Sequence, residues 1–95
     1  MKFIISTNNL MAEGGKALAE ALRDNKIIKE LDIADNFLGY SINGLPNVSG
    51  VIAISDAIPT MRALASLDLS QNGISESESS RIKEACEAKS ISLRF

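Results

Sequence analysis

The 95-residue sequence contains no histidine, no tryptophan and only one cysteine, Cys86. These absences exclude Ser-His-Asp and Cys-His catalysis, histidine-ligated transition metals, multi-cysteine zinc sites and an intrachain disulfide. The run Gly14-Gly15-Lys16 lacks the first glycine and the following hydroxyl residue of a nucleotide-binding P-loop. Cys86 has no histidine to activate it and falls on an apolar helical stripe, so we interpret it as a core thiol. We therefore expect no intrinsic enzyme activity and no cofactor or metal ion.

An excess of charge of one sign is also missing, and so are long apolar runs. Ten Lys and Arg residues face twelve Asp and Glu residues, which leaves no basic footprint for nucleic acid or for an anionic membrane. No stretch approaches the ~18 consecutive apolar residues of a membrane span. The apolar start at residues 1–6 is stopped by Thr7, Asn8 and Asn9, too early for a signal peptide. We expect one cytoplasmic domain over residues 1–95, with neither a nucleic-acid nor a membrane partner.

The residues that are present form a repeat around three asparagines, Asn8, Asn36 and Asn72. The same apolar offsets accompany each one: Phe3-x-Ile5-x-x-Asn8-x-Leu10, Ile28-x-x-Leu31-x-Ile33-x-x-Asn36-x-Leu38 and Leu64-x-x-Leu67-x-Leu69-x-x-Asn72-x-Ile74. The spacing Ala88-x-x-Ile91-x-Leu93 restarts the pattern without an asparagine, which aligns Ile91 with Leu67. An amide side chain can satisfy both N–H and C=O groups where the backbone turns. We therefore interpret the asparagines as structural.

The periodicity of the apolar residues predicts alternating strands and helices. Alternation at Leu31-Asp32-Ile33 and Leu67-Asp68-Leu69 is typical of half-buried strands, and we place four strands near residues 2–6, 30–34, 66–70 and 90–94. Apolar residues spaced by three or four predict three helices, near residues 12–24, 48–58 and 77–88. The first helix would bury a stripe of Ala17, Leu18, Ala21 and Leu22. Strand-helix-strand repetition implies parallel pairing with right-handed crossovers.

The repeated pattern L-x-x-L-x-L-x-x-N-x-L resembles that of leucine-rich repeat proteins. The 28-residue step from Asn8 to Asn36 resembles the ribonuclease-inhibitor-like subfamily, and residues 8–22 resemble its helical half, N-x-L-x-x-x-G-x-x-x-L-x-x-A-L. The resemblance covers essentially the whole chain. Two units depart from it, because the step from Asn36 to Asn72 is eight residues longer and the last unit is shorter, with Ile91 nineteen residues after Asn72.

This resemblance implies an α/β leucine-rich-repeat solenoid. We expect a short right-handed arc with about four parallel strands on its concave face and three helices on its convex face. Such arrays bind through extended faces, so the expected function is a non-enzymatic protein-protein interaction or assembly module. One alternative is a GTPase-activating regulator resembling the Ran GTPase-activating proteins, although the sequence positions no arginine to support that role, Arg23, Arg62 and Arg94 being left unplaced. Another is a fragment of a longer leucine-rich-repeat receptor or sensor.

The first candidate surface is acidic and lies on the outward side of the strands. Glu30, Asp32 and Asp68 should come together there, because neighbouring parallel strands lie ~4.8 Å apart. The three carboxylates suit a basic protein partner and, more weakly, a hard cation. Alternatively, they only provide solubility, since exposed charges are screened by salt.

The second candidate surface is the eight-residue insertion, which falls within residues 39–49. Its turn-forming composition predicts a loop at the edge of the repeat stack. Tyr40, Ile42 and Leu45 would supply an amphipathic contact for a partner. In the alternative interpretation, Ile42 and Leu45 cover the edge of the core and the loop has no partner.

The third candidate surface is the edge of the last strand, formed by Ile91, Leu93, Arg94 and Phe95. Unpaired strand edges favour strand addition from another chain. We therefore expect a homodimer through the terminal strands, unless the chain is a piece of a longer array. The sequence does not identify the partner or the pathway.

Overall fold

The computed structural model describes all 95 residues and contains four strands that alternate with three helices. The elements are β1 Lys2–Ile4, α1 Met11–Leu22, β2 Glu30–Asp32, α2 Ser49–Ala57, β3 Ser66–Asp68, α3 Glu76–Ala88 and β4 Ser92–Arg94, with a 3-10 turn at Ile58–Thr60. These numbers of strands and helices agree with the sequence prediction. All observed bounds lie within two residues of the predicted ones.

The four strands form one sheet in the order β1-β2-β3-β4, and every neighbouring pair is parallel. Phe3, Leu31, Leu67 and Leu93 lie side by side across it. Sequential strands are thus also spatial neighbours, and each crossover contains one helix. This confirms the predicted parallel α/β architecture.

The hydrophobic core lies between the inward face of the sheet and the three helices. Full burial of one large aliphatic side chain contributes about 1.5–3 kcal/mol, and the core contains many of them: Leu31, Ile33, Leu38, Val51, Ile54, Ile58, Leu67, Leu69 and Ile82. No helix combines the length and the apolar character that crossing a membrane requires.

Helices α1 and α2 pack closely through small residues. A Cβ atom on Gly50 would lie 2.6 Å from the carbonyl oxygen of Ala12, and one on Gly15 would lie 3.4 Å from the Cα atom of Gly50. The buried stripe of α1 is Ala12, Gly15, Ala19 and Leu22. The predicted stripe is therefore wrong at Ala17 and Ala21, which are exposed. Periodicity favoured these alanines because glycine carries no apolar signal, whereas the tertiary packing uses its missing side chain.

The last strand starts later than the repeat predicts. Leu93, and not Ile91, lies beside Leu67, so the predicted strand 90–94 begins only at Ser92. Residues 89–91 instead close α3: Ser90 has φ 55°, its N–H bonds to the carbonyl of Glu87, and the N–H of Ile91 donates to the carbonyl of Cys86 at 2.8 Å. This is a Schellman motif, which satisfies the last helical carbonyls before the chain reaches the sheet.

Candidate functional site

The turns around Asn8, Asn36 and Asn72, which we call the asparagine turns, connect neighbouring units of the fold. Asn36 is completely buried. Its Nδ2 donates to the carbonyl oxygens of Ile5, Ile33 and Ala34 at 3.0–3.2 Å, and its Oδ1 accepts the backbone N–H of Asn8 at 2.8 Å. One amide thus satisfies backbone groups of two units, as the structural interpretation of these residues requires.

The same backbone geometry recurs at all three asparagines. The residues on both sides of each one have positive φ angles: Thr7 and Asn9, Asp35 and Phe37, Gln71 and Gly73. Two left-handed residues around one asparagine reverse the chain out of the sheet. Only glycine adopts this conformation without a steric cost. Its recurrence at non-glycine residues therefore indicates that contacts between neighbouring units hold the turn in this conformation.

The outer face of the sheet, opposite the helices, carries the predicted carboxylates. Asp32 and Asp68 are in register on neighbouring strands. Each aspartate accepts the N–H of the residue two positions later, Ala34 at 3.1 Å and Ser70 at 3.0 Å, and Asp68 also accepts the Ser70 hydroxyl at 2.7 Å. Both carboxylates therefore also fix the backbone where the strands end.

Cations border these carboxylates on both sides. The Nζ atom of Lys2 lies 3.8 Å from the carboxylate of Glu30, and Arg94 is in register with Asp68. The repeat alignment placed Ser92 beside Asp68; the two-residue shift of β4 puts Arg94 there instead. The outer face is thus a shallow groove of about 300 Å³ with charges of both signs. No group of three or more carboxylate, thiol or imidazole side chains is placed to hold a metal ion, so the geometry gives the cation interpretation no support.

The insertion forms a small hairpin. Tyr40 and Pro46 form an antiparallel bridge, the N–H of Ser41 donates to the carbonyl of Leu45 at 2.8 Å, and the N–H of Asn47 donates to that of Gly39 at 2.9 Å. The Asn47 side chain adds a bond to the Ser41 hydroxyl at 2.7 Å. The insertion therefore has its own hydrogen-bonded structure.

The hairpin is attached to the rest of the fold at its base. The carbonyl of Tyr40 accepts the N–H of Ala12 at 2.8 Å, and the carboxylate of Glu13 accepts the N–H of Ile42 at 3.2 Å. The Tyr40 ring lies directly against Gly73, which has φ +65° and where any Cβ atom would overlap the ring. These contacts hold Tyr40 in one position relative to α1.

The apolar side chains of the hairpin are exposed. Ile42 and Leu45 retain 80% and 62% of their accessible surface, so they do not cover the edge of the core. Beside them lies a groove of about 410 Å³, which we call the hairpin groove; it is lined by Met11, Phe37, Tyr40, Ser41, Ile42 and Gly44. Of the three predicted residues, Tyr40 and Ile42 line this groove and Leu45 does not.

Two residues of the hairpin groove, Met11 and Phe37, were not predicted from the sequence. A signal for Phe37 was present, because it follows Asn36 where Asn9 and Gly73 follow the other asparagines. A large aromatic residue in a left-handed turn is uncommon, and Phe37 is 46% exposed. Its position in the repeat therefore distinguishes it from a core residue.

The predicted edge residues divide between the two sides of the sheet. Ile91 is buried, Leu93 is half-buried and Phe95 is 40% exposed, and all three line an end groove of about 310 Å³ together with Lys83, Cys86 and Glu87. The Nζ atom of Lys83 lies 5.6 Å from the centre of the Phe95 ring, within cation–π distance. Arg94 instead lies on the outer face.

Cys86 is almost completely buried, and this burial raises the pKa of its thiol. The neutral thiol is a poor nucleophile because the thiolate is the reactive form. The environment of Cys86 is therefore that of a core residue.

Comparison with known proteins adds no relative. No protein-family model matches the chain, and no match is found among curated proteins or solved structures.

Proposed function

We propose that this protein is a small leucine-rich-repeat solenoid of the ribonuclease-inhibitor-like type, and that it binds a protein partner without catalysing a reaction. The asparagine turns support the solenoid: the same left-handed, asparagine, left-handed geometry returns after 28 and 36 residues. Asn36 and Asn72 each also accept a backbone N–H of the preceding unit. Parallel strands in sequential order are the arrangement that such an array requires.

The observation that carries the binding function is the hairpin groove. Tyr40, Phe37 and Ile42 are all exposed, although burial of such side chains is favourable. The hairpin is fixed by backbone hydrogen bonds, so little conformational entropy is lost when a partner binds. Exposed apolar clusters with aromatic residues are typical of protein interfaces. The partner would insert apolar side chains between Phe37 and Ile42.

A matched pair of variants tests this proposal. Ile42→Asp places a charge in the hairpin groove, whereas Ile27→Asp places one at another exposed isoleucine, which retains 63% of its surface and lies outside the groove. Both substitutions should leave the melting temperature nearly unchanged, since exposed sites contribute within about 0.5 kcal/mol.

The readout is quantitative mass spectrometry of proteins captured from extracts of the source cells by the tagged wild type and the two variants. We expect at least one protein to be retained by the wild type and by Ile27→Asp and to fall at least about tenfold with Ile42→Asp, which corresponds to about 1.4 kcal/mol. The purified partner should show the same order in calorimetry. Equal capture by all three proteins would contradict the proposal.

A further inference from the structure

The two outer strands of the sheet present different backbone groups at their free edges. In β1, the N–H of Ile5 donates to the carbonyl of Asp32 in β2 at 2.9 Å. Because alternate residues of a strand direct their backbone groups to opposite sides, the N–H and C=O groups of Lys2 and Ile4 face away from β2. The free edge of β1 therefore carries the backbone groups of Lys2 and Ile4.

The same reasoning gives the edge of β4. The N–H of Ser92 donates to the carbonyl of Ala65 at 2.8 Å, and the carbonyl of Arg94 accepts the N–H of Leu69 at 2.7 Å. Ser92 and Arg94 thus direct their backbone groups toward β3. The N–H and C=O groups of Leu93 face away from the sheet.

These two edges match each other as the inner strands do. Leu31 of β2 directs its backbone toward Ser66 and Asp68 of β3, with Leu31 beside Leu67. Leu93 is the counterpart of Leu31 at the β4 edge, and Lys2 and Ile4 are the counterparts of Ser66 and Asp68 at the β1 edge. We propose that the β4 edge binds β1 of a second copy of this chain, head to tail and parallel, with Leu93 beside Phe3 of the second copy.

The side chains at the two ends support this pairing. Phe3 and Ile5 are only partly buried, and they would reach the end groove at Leu93 and Phe95. On the outer face, Ile4 of one copy, which is 54% exposed, would lie beside the aliphatic part of the Arg94 side chain of the other copy. Lys2 would lie beside Ser92 in the same way. No like charges are brought opposite each other, whereas a symmetric pairing of two β1 strands centred on Lys2 would do so.

Head-to-tail contacts are heterologous, so they produce open chains or closed rings and not a twofold dimer. This differs from the symmetric dimer that an exposed edge by itself suggests. The assembly uses the ends of the sheet and leaves the hairpin groove free, so it is independent of the proposed partner binding.

Two edge-blocking variants test the proposal by sedimentation over a concentration series. Ile4→Pro removes the outward N–H of β1 at an exposed position, and Leu93→Pro removes that of β4. We expect the wild-type mass to rise with concentration above the 10.2 kDa monomer and each variant alone to stay monomeric. An equimolar mixture should form a 1:1 pair, because one variant keeps a free β4 edge and the other a free β1 edge.

Other outcomes overturn the proposal. A wild type that stays monomeric up to about millimolar concentration has a Kd for self-association weaker than about 1 mM, which excludes the assembly. Self-association of Ile4→Pro alone indicates a symmetric β4 pairing instead. Circular dichroism establishes that each variant is folded; if Leu93→Pro is not, Phe95→Lys replaces it as the β4 variant. Ile42→Asp is the matched control, which should keep the wild-type mass, and its loss of assembly would assign the contact to the hairpin groove.

Discussion

The Oδ1 atom of Asn72 lies 2.8 Å from the backbone nitrogen of Asn36, and both residues are almost completely buried. The Nδ2 atom of Asn72 donates to the carbonyls of Ile33 and Leu69 at 3.0 Å. One side chain therefore satisfies its own turn and the turn of the preceding unit. The contact is directional, since Asn72 accepts the N–H of Asn36, and Asn36 accepts that of Asn8.

Replacement of Asn36 by alanine should strongly destabilise the fold. Asn36→Ala leaves the N–H groups of Asn8 and Leu10 without the Oδ1 acceptor that they contact at 2.8 and 3.4 Å, and each polar group left unsatisfied away from water costs about 1–3 kcal/mol. We expect the free energy of unfolding in urea to fall by about 3 kcal/mol. Asn8→Ala is the control, because the Asn8 side chain is exposed and donates only within its own turn. An equal effect of both variants would refute the role of Asn36 in connecting two units.

A methyl group at Gly50 should separate the first two helices. In Gly50→Ala the new Cβ atom would lie 2.6 Å from the carbonyl oxygen of Ala12, so α1 must shift. Overpacking of this kind costs about 1–3 kcal/mol, even though alanine favours helix. Gly44→Ala meets no neighbouring atom and should cost only about 1 kcal/mol through its left-handed φ. Thermal unfolding compares the two variants, and a Gly50→Ala protein as stable as wild type would show that the helices do not need this contact.

A glycine at residue 90 should stabilise the protein. Ser90 adopts φ 55° in the Schellman motif, a conformation that costs non-glycine residues about 1 kcal/mol. We expect Ser90→Gly to raise the free energy of unfolding by about 1 kcal/mol. Ser92→Gly lies in β4 and should lower it by about 0.5–1 kcal/mol, so chemical denaturation should move the two variants in opposite directions.

Cys86 should make stability fall in alkaline solution. Burial raises the pKa of its thiol above the ordinary value of 9.0, so the unfolded chain loses this proton at a lower pH than the folded chain. Stability from the neutral thiol is complete below pH 9.0 and decreases as the pH rises above it. Urea unfolding of wild type and Cys86→Ala should give a stability difference that shrinks from about pH 8 to pH 10. A difference that stays constant over this range would contradict the prediction.

Much of the fold could be predicted because the relevant signals are local or strictly repeated. Alternation at Leu31 and Leu67 identified the inner strands, and the common offset of Asn36 and Asn72 identified the turns. The β4 register was predicted incorrectly, because the spacing of Ile91 and Leu93 fits two alignments. The Schellman motif at Ser90, which ends α3, selects the alignment of Leu93 with Leu67. This motif depends on hydrogen bonds of the helix end, which the spacing of apolar residues does not reveal.

The sequence by itself determined the alternation of strands and helices, their parallel order and the structural role of the asparagines, because each follows from the spacing of residues along the chain. Only the tertiary structure decided that Ile42 is exposed, that Phe37 joins Tyr40 in a groove, that Gly15 and Gly50 allow two helices to approach and that Arg94 lies beside Asp68. The physical reason is that burial, close contact and register depend on what lies opposite a residue in space. Spacing along the chain places a residue on a face but does not say what covers that face.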